Sequence, residues 1–166
     1  MAGEYPIAIR EEDGLKKLSD IVAAGISHFI DLTHVWDPLD PYVPMLGSVV
    51  EMTIAVPGYE RFAITDMGIP DSHELMNAIL DRLDQLLAES RVPYVHCWGG
   101  IGRTGTVVGC WLVRHGQSGK EALETIADHW TTVAKRHHYP QSPQTEAQCQ
   151  YVLDWAAHDR LRAVKG

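Results

Sequence analysis

The stretch Val95-His96-Cys97-Trp98-Gly99-Gly100-Ile101-Gly102-Arg103-Thr104-Gly105 constrains this chain more than any other. Pro93 to His96 reads as a short strand, and the residues from about Arg103 to His115 read as a helix apolar nearly all round. Such a helix must lie at the centre of a core. The turn between them carries Gly99, Gly100 and Gly102, which let the backbone aim its N–H groups inward at an anion. The following helix adds the positive end of its dipole at the same place. Cys97, at the first position of the turn, therefore sits in a field that favours thiolate, the reactive form. Arg103, six residues on, can grip two oxygens of one anion with its planar fork. Thr104 can donate its hydroxyl to the sulfur. Buried cysteines and glycine turns often serve packing alone, but neither role explains an arginine at the mouth of a buried helix beside a cysteine. The pattern points to a nucleophile working on a bound oxyanion.

The rest of the chain alternates strands and helices. Leu15, Leu18, Ile21 and Val22 give a short helical face ended by Gly25. Ile26 to Leu32 reads as a buried strand, and Thr33 to Gly47 as a loop rich in Pro and Asp. Val49 to Val56 and Arg61 to Thr65 read as two further strands. Asp71 and Glu74 form a capping-box pattern for a helix whose buried face is Leu75, Met76, Ile79, Leu80, Leu83, Leu86 and Leu87. Ser118 and Glu121 cap another, with Ala122, Leu123, Ile126, Ala127 and Trp130 inward. Ser142-Pro143 reads as a cap with proline at the first position of the last helix. This order predicts an α/β fold, a mostly parallel central sheet with helices on both faces and the anion loop between a strand and a buried helix. At 166 residues, one domain over 1–166 is expected.

Composition narrows the partners. A net charge of −8 argues against nucleic acid or an anionic membrane surface, which reward clustered Lys and Arg; the densest basic cluster is Lys135-Arg136-His137-His138. The longest apolar run, Thr106 to Val113, is too short to span a bilayer, and MAGEYPIAIR has no signal-peptide pattern. A cytoplasmic protein and a monomer are expected. The three cysteines are an odd number, without disulfide or zinc spacing, and Cys110 and Cys149 read as small buried hydrophobes. The nine histidines include no HExxH and no paired Cys/His ligands, so neither metal nor cofactor is expected. Trp111, Trp130 and Trp155 read as core or pocket wall; only Trp98, inside the loop, is placed to touch substrate.

A leaving oxygen needs a proton, hence a general acid facing the cysteine. Asp66 and Asp71 both qualify by position. Asp71 reads better as the helix cap in front of Glu74, whereas Asp66 leaves a strand end and precedes Gly68 and Pro70, which permit a mobile loop. His96 is turned away from the pocket by strand alternation and is expected to be buried and bonded to loop backbone. Gln144 and Gln148, four apart on one helical face, read by spacing as ordinary solvated glutamines.

The segment His96 to Thr104 resembles the signature of the protein tyrosine phosphatase superfamily, HC, five residues, R, then S or T. The strand Ile30-Asp31-Leu32-Thr33, the loop Asp66-Met67-Gly68-Ile69-Pro70, and Ser142-Pro143-Gln144-Thr145 with Gln148 resemble the short dual-specificity type, so nearly the whole chain is covered. The opening AGEYP resembles the middle of that pattern, which implies that a first strand is missing. The resemblance implies a metal-free phosphatase working through a phospho-cysteine on Cys97, with Trp98, Gly99, Gly100, Ile101, Gly102 and Arg103 holding the phosphate. It implies that His96 tunes the cysteine and that Gln144 and Gln148 position the hydrolytic water. It also implies Asp66 as the acid, 31 residues before the cysteine. The expected substrate is phosphotyrosine in a protein or peptide, with phosphoserine and phosphothreonine open, because so short a chain lacks room for a deep pocket wall. A phosphoinositide or small-molecule phosphatase is the alternative, disfavoured by the absence of Lys from Trp98-Gly99-Gly100-Ile101-Gly102. A non-catalytic phospho-binding module would not need the acid. Sulfur or arsenate chemistry would leave Asp66 and the glutamines without a role.

Overall fold

Alternation along the two inner strands sets the architecture. In β2 (His28–Asp31) Phe29 and Ile30 face opposite ways, and in β4 (Pro93–His96) Tyr94 and Val95 divide in the same sense. Two separate cores result, one on each face of a parallel sheet. The computed structural model describes residues 1–7, 11–49 and 56–160. Its sheet runs β1-β4-β2-β3, with β1 (Ala2–Gly3) and β3 (Gly58–Arg61) at the edges and every pair parallel. A parallel sheet needs cover on both faces. On one face α1 (Glu11–Ala23) packs Leu18 and Val22 with Phe29, Tyr42 and Tyr94. On the other, α2 (His73–Ala88) and α3 (Gly102–Arg114) bring Met76, Ile79, Val107 and Val113 against Ile30 and Val95. Outside α3 lie α4 (Gly119–Trp130) and α5 (Glu146–Asp154), which add Ala122 and Val152 to the same core. Among the described residues no helix is long and apolar enough to cross a membrane.

The α/β class, the parallel sheet and the helices on both faces are as the sequence predicts, and several boundaries are not. The strand expected over Val49–Val56 falls almost wholly outside the described residues. The one expected at Arg61–Thr65 is displaced, since β3 ends at Arg61 and only single bonds continue it, from Phe62 N to Asp31 O (2.8 Å) and Ile64 N to Leu32 O (3.1 Å). The α2 cap is Ser72 and not Asp71: Ser72 Oγ accepts from Leu75 N at 3.1 Å, three residues on as a cap requires. Leu87 is 47% exposed and leaves the buried face of α2, and Ala127 is exposed on α4. The Ser118–Glu121 capping box of α4 is present. Ser142-Pro143 does not open the last helix. The α5 cap is Thr145, paired with Gln148 in a capping box, while Ser142 Oγ donates to Ile101 O at 2.7 Å and so braces the anion loop.

The α1-side core also holds the residue before the cysteine. His96 is fully buried among the rings of Tyr5, Phe29, Tyr42 and Tyr94. Its Nδ1 lies 3.3 Å from Cys97 O and its Nε2 2.7 Å from the Tyr42 hydroxyl. Nδ1 therefore carries the proton and Tyr42 donates to Nε2. Burial pushes the His96 pKa down to about 4, against the opposing pull of Asp31 at 3.9 Å.

Two outcomes follow from this framework. Ser72→Ala should cost about 1 kcal/mol in urea unfolding, and Asp71→Ala no more than a few tenths. As pH falls, unfolded His96 takes a proton near 6.5 while folded His96 waits until about 4. The stability this contributes is present above pH 6.5 and drains away across that window. Between pH 7 and 4.5, wild type should lose about 2.5 kcal/mol more than His96→Gln. An equal loss would mean that folded His96 takes up its proton over the same pH range as in the unfolded chain.

Candidate active site

The site lies where β4 gives way to α3, at the carboxyl ends of the parallel strands. Helices α2, α4 and α5 are each capped by a hydroxyl side chain, from Ser72, Ser118 and Thr145. α3 starts from Ile101 with no side-chain cap, so its first-turn N–H groups are left for a ligand. Of the loop glycines only Gly100 uses the left-handed backbone, at φ +71°. A Cβ there would also lie 2.4 Å from Gly3 C and 2.5 Å from Glu4 N, so the loop rests directly on the amino-terminal segment. Tyr5 N donates to Trp98 O at 2.9 Å along the same contact.

Cys97 is buried and faces a cavity of about 20 Å³ shared with Asp66, Arg103, Gln144 and Gln148. That volume admits one water. Arg103, 2% exposed, is held by four groups. Its Nη1 donates to Asp37 Oδ2 at 2.6 Å, to Ile64 O at 3.0 Å and to Leu32 O at 3.5 Å, and its Nη2 donates to Asp66 Oδ1 at 2.7 Å. The two carboxylates differ in kind. The Asp37 side chain is 7% exposed and fixed, whereas that of Asp66 is 48% exposed and caps the guanidinium from the solvent side. A buried guanidinium costs several kcal/mol unless paired, and Asp37 supplies that pairing. Any anion that takes up Nη2 must displace Asp66. Asp71 is not among the residues lining this cavity.

The loop carrying Asp66 is a tight turn closed by Gly68 N to Thr65 O at 2.9 Å. Gly68 and Pro70 are the residues expected to permit a mobile loop, but the left-handed residue of this turn is Met67, at φ +59°. A non-glycine residue in that region is held there by its surroundings at some cost. Part of that hold is Gln148, which is fully buried. Its Nε2 donates to Gly68 O at 2.8 Å, and its Oε1 accepts from Gln144 N and Thr145 N at 3.1 Å each. A Cβ on Gly102 would lie 2.7 Å from Gln148 Oε1, so the glycine there makes room for this brace. The expectation that Gln144 and Gln148 share one helical face therefore fails, because α5 begins only at Glu146. Gln148 ties three segments together, and Gln144 lines the cavity. The expected bond from Thr104 to the sulfur is not formed in this structure: Thr104 Oγ1 is buried without a hydrogen-bond partner.

Three contributors went unnoticed in the sequence. Asp37 and Tyr42 sit in a loop whose Pro and Asp content hid them. Asp31, fully buried, accepts from Thr33 N and Oγ1 at 2.8 and 2.7 Å, from Tyr59 OH at 2.7 Å and from Arg61 Nε at 3.1 Å. A charged residue inside the expected buried strand Ile26 to Leu32 was the available signal, since an Asp is rarely buried without partners. Among the described residues no three His, Cys, Asp or Glu side chains converge as a metal site.

Comparison with known proteins agrees with this geometry. A family model described as a Swiss Army Knife protein, DSP-PTPase phosphatase domain, matches residues 7–152. A protein of Invertebrate iridescent virus 3 named as a tyrosine phosphatase, 067L, is 30% identical over 101 residues, covering 58% of this chain and 38% of its own length. The phosphatidylinositol 3,4,5-trisphosphate 3-phosphatase and protein-tyrosine-phosphatase PTEN1 of Arabidopsis thaliana is 36% identical over 75 residues, 44% of this chain and 18% of its own. The chain thus spans well under half the length of these curated relatives. The crystal structure of Tk-PTP in its active form shares the fold, with a TM-score of 0.67, 23% identity and 86% of each chain covered. The match over residues 7–152 places the chain in the DSP-PTPase phosphatase family, the short dual-specificity branch of the cysteine-based protein tyrosine phosphatases.

Proposed function

We propose that the chain hydrolyses phosphate monoesters through a phosphoryl group carried on Cys97, with phosphotyrosine in proteins or peptides as its main substrate. The observation that carries this reading is the meeting of Cys97, Arg103 and Asp66 on one small cavity at an uncapped helix end. Arg103 and the first N–H groups of α3 hold the phosphate oxygens, and Asp66 gives way at Nη2. Cys97 Sγ attacks phosphorus as the ester P–O bond breaks, and Asp66 protonates the departing oxygen. Water then attacks the S-phosphoryl group, giving its proton to Asp66, and the S–P bond breaks to restore the thiolate. Thr104, whose hydroxyl has no partner, turns it toward the sulfur in that second step.

Aryl specificity is supported by apolar side chains exposed on three segments of the site: Met67, 48% exposed and lining the cavity; Trp98 in the loop, 44% exposed; and Trp36, 83% exposed, next to Asp37. Such groups offer packing surface to a tyrosyl ring. A second reading, a phosphoinositide phosphatase, draws on the name of the plant relative; the loop Trp98 to Gly102 has no Lys to favour it.

Leaving-group dependence tests the assignment. Cys97→Ser should be inactive on every substrate. Asp66→Asn should lower kcat by about 10²-fold or more on phenyl phosphate and far less on an aryl phosphate whose phenol is already acidic. Asp71→Asn should leave both unchanged. If the dependence appears with Asp71→Asn and not with Asp66→Asn, the acid is misassigned.

A further inference from the structure

The densest basic cluster of an otherwise acidic chain lies on the lip of the phosphate site. Lys135 belongs to a short 3-10 helix, Ala134–His137, and its Nζ donates to Gly99 O at 3.0 Å. Gly99 lines the cavity with Cys97 and Arg103, so the ammonium stands one hydrogen bond from the pocket wall. It also pairs with Glu4, and so does Lys17, whose Nζ donates in addition to Tyr5 O at 2.7 Å. Two ammonium groups share one carboxylate there, which leaves a positive charge unneutralised by that group. The Lys135 side chain is 37% exposed, and Arg136, His137 and His138 follow it in the chain, all exposed, with Arg136 and His137 lining a neighbouring depression beside Trp130 and Pro140.

Resting on the proposed phosphatase reading, we infer that Lys135 and Arg136 form a second anion subsite that selects phosphotyrosine peptides with acidic residues beside the phosphorylated one. Lys135 has three N–H donors, of which Gly99 O and Glu4 take two. The extent of the patch favours an extended ligand with several carboxylates over a compact one that would reach Lys135 alone. A net charge of −8 repels an acidic peptide elsewhere, so this patch also sets the direction of approach. The subsite explains how the protein can use basic recognition while the loop Trp98 to Gly102 itself contains no Lys.

The test compares two phosphotyrosine peptides that differ only in flanking Asp and Glu against Asn and Gln. At low salt, wild-type kcat/KM should be about fivefold higher for the acidic peptide, as expected for an exposed charge pair, and the advantage should fade near 0.5 M salt. Lys135→Ala combined with Arg136→Ala should bring the ratio to about one, and Lys135→Arg should keep it. A ratio of one in wild type, or one that survives the double substitution, overturns the inference while leaving the phosphatase reading intact. An equal loss on both peptides also overturns it, since Lys135 would then only brace Gly99. Preference for a soluble inositol bisphosphate or its lipid form, lost in the double variant, would assign the patch to a compact polyanion and contradict the peptide. Failure of wild type to dephosphorylate either peptide would sink both readings.

Discussion

The site is organised around one buried charge. Arg103 is almost wholly removed from water at the start of the central helix, where an unpaired guanidinium would cost several kcal/mol. Asp37 and the carbonyls of Leu32 and Ile64 fix one nitrogen, so the fork cannot swing, and its other nitrogen faces the cavity through an exchangeable partner, Asp66. That asymmetry matters for chemistry. A firmly held donor stays aligned when an anion arrives, and the carboxylate it displaces remains close enough to handle a proton. At that second nitrogen the half-exposed Asp66 supplies the negative charge.

The two-sided core explains why the geometry is held so closely. Val95 and Cys97 belong to the α2/α3 side and Tyr94 to the α1 side, while His96 is enclosed by the rings of that second side. Strand alternation thus sends the Cys97 side chain toward the α2/α3 core and the histidine into the opposite one. Neutral His96, bonded to Cys97 O and Tyr42, fixes the backbone on which the sulfur is mounted. On the solvent side, Gln148 joins Gly68 to the entry of α5, and Ser142 holds Ile101. The anion loop is therefore gripped from the sheet, from the segment before α5 and from the amino-terminal segment.

What could be read in the sequence was whatever depends on short-range pattern. The strand before Cys97, the buried helix after it and the sheet class all follow from local apolar periodicity, and the structure has them. Long-range pairings were not legible. Asp37 meets Arg103 across 66 residues and Tyr42 meets His96 across 54, and nothing near either residue in the chain announces its partner. Cap positions erred by a few residues for a related reason. Asp71 and Ser72 are both good caps, as are Ser142 and Thr145, and the choice is made by where tertiary packing starts the helix. Gln148 looked like a surface glutamine because its partners, Gly68 O and the Gln144 and Thr145 amides, come together only once α5 docks.

The central claim is that phosphate passes through a covalent bond to Cys97. Wild-type protein mixed with an aryl phosphate, quenched in denaturant within a single turnover and mapped by peptide mass, tests it most directly. The account predicts one phosphoryl group on the peptide containing Cys97, formed in step with release of the phenol. A phosphoryl group on any other residue, or turnover with no enzyme-bound phosphoryl group at any time, would contradict it.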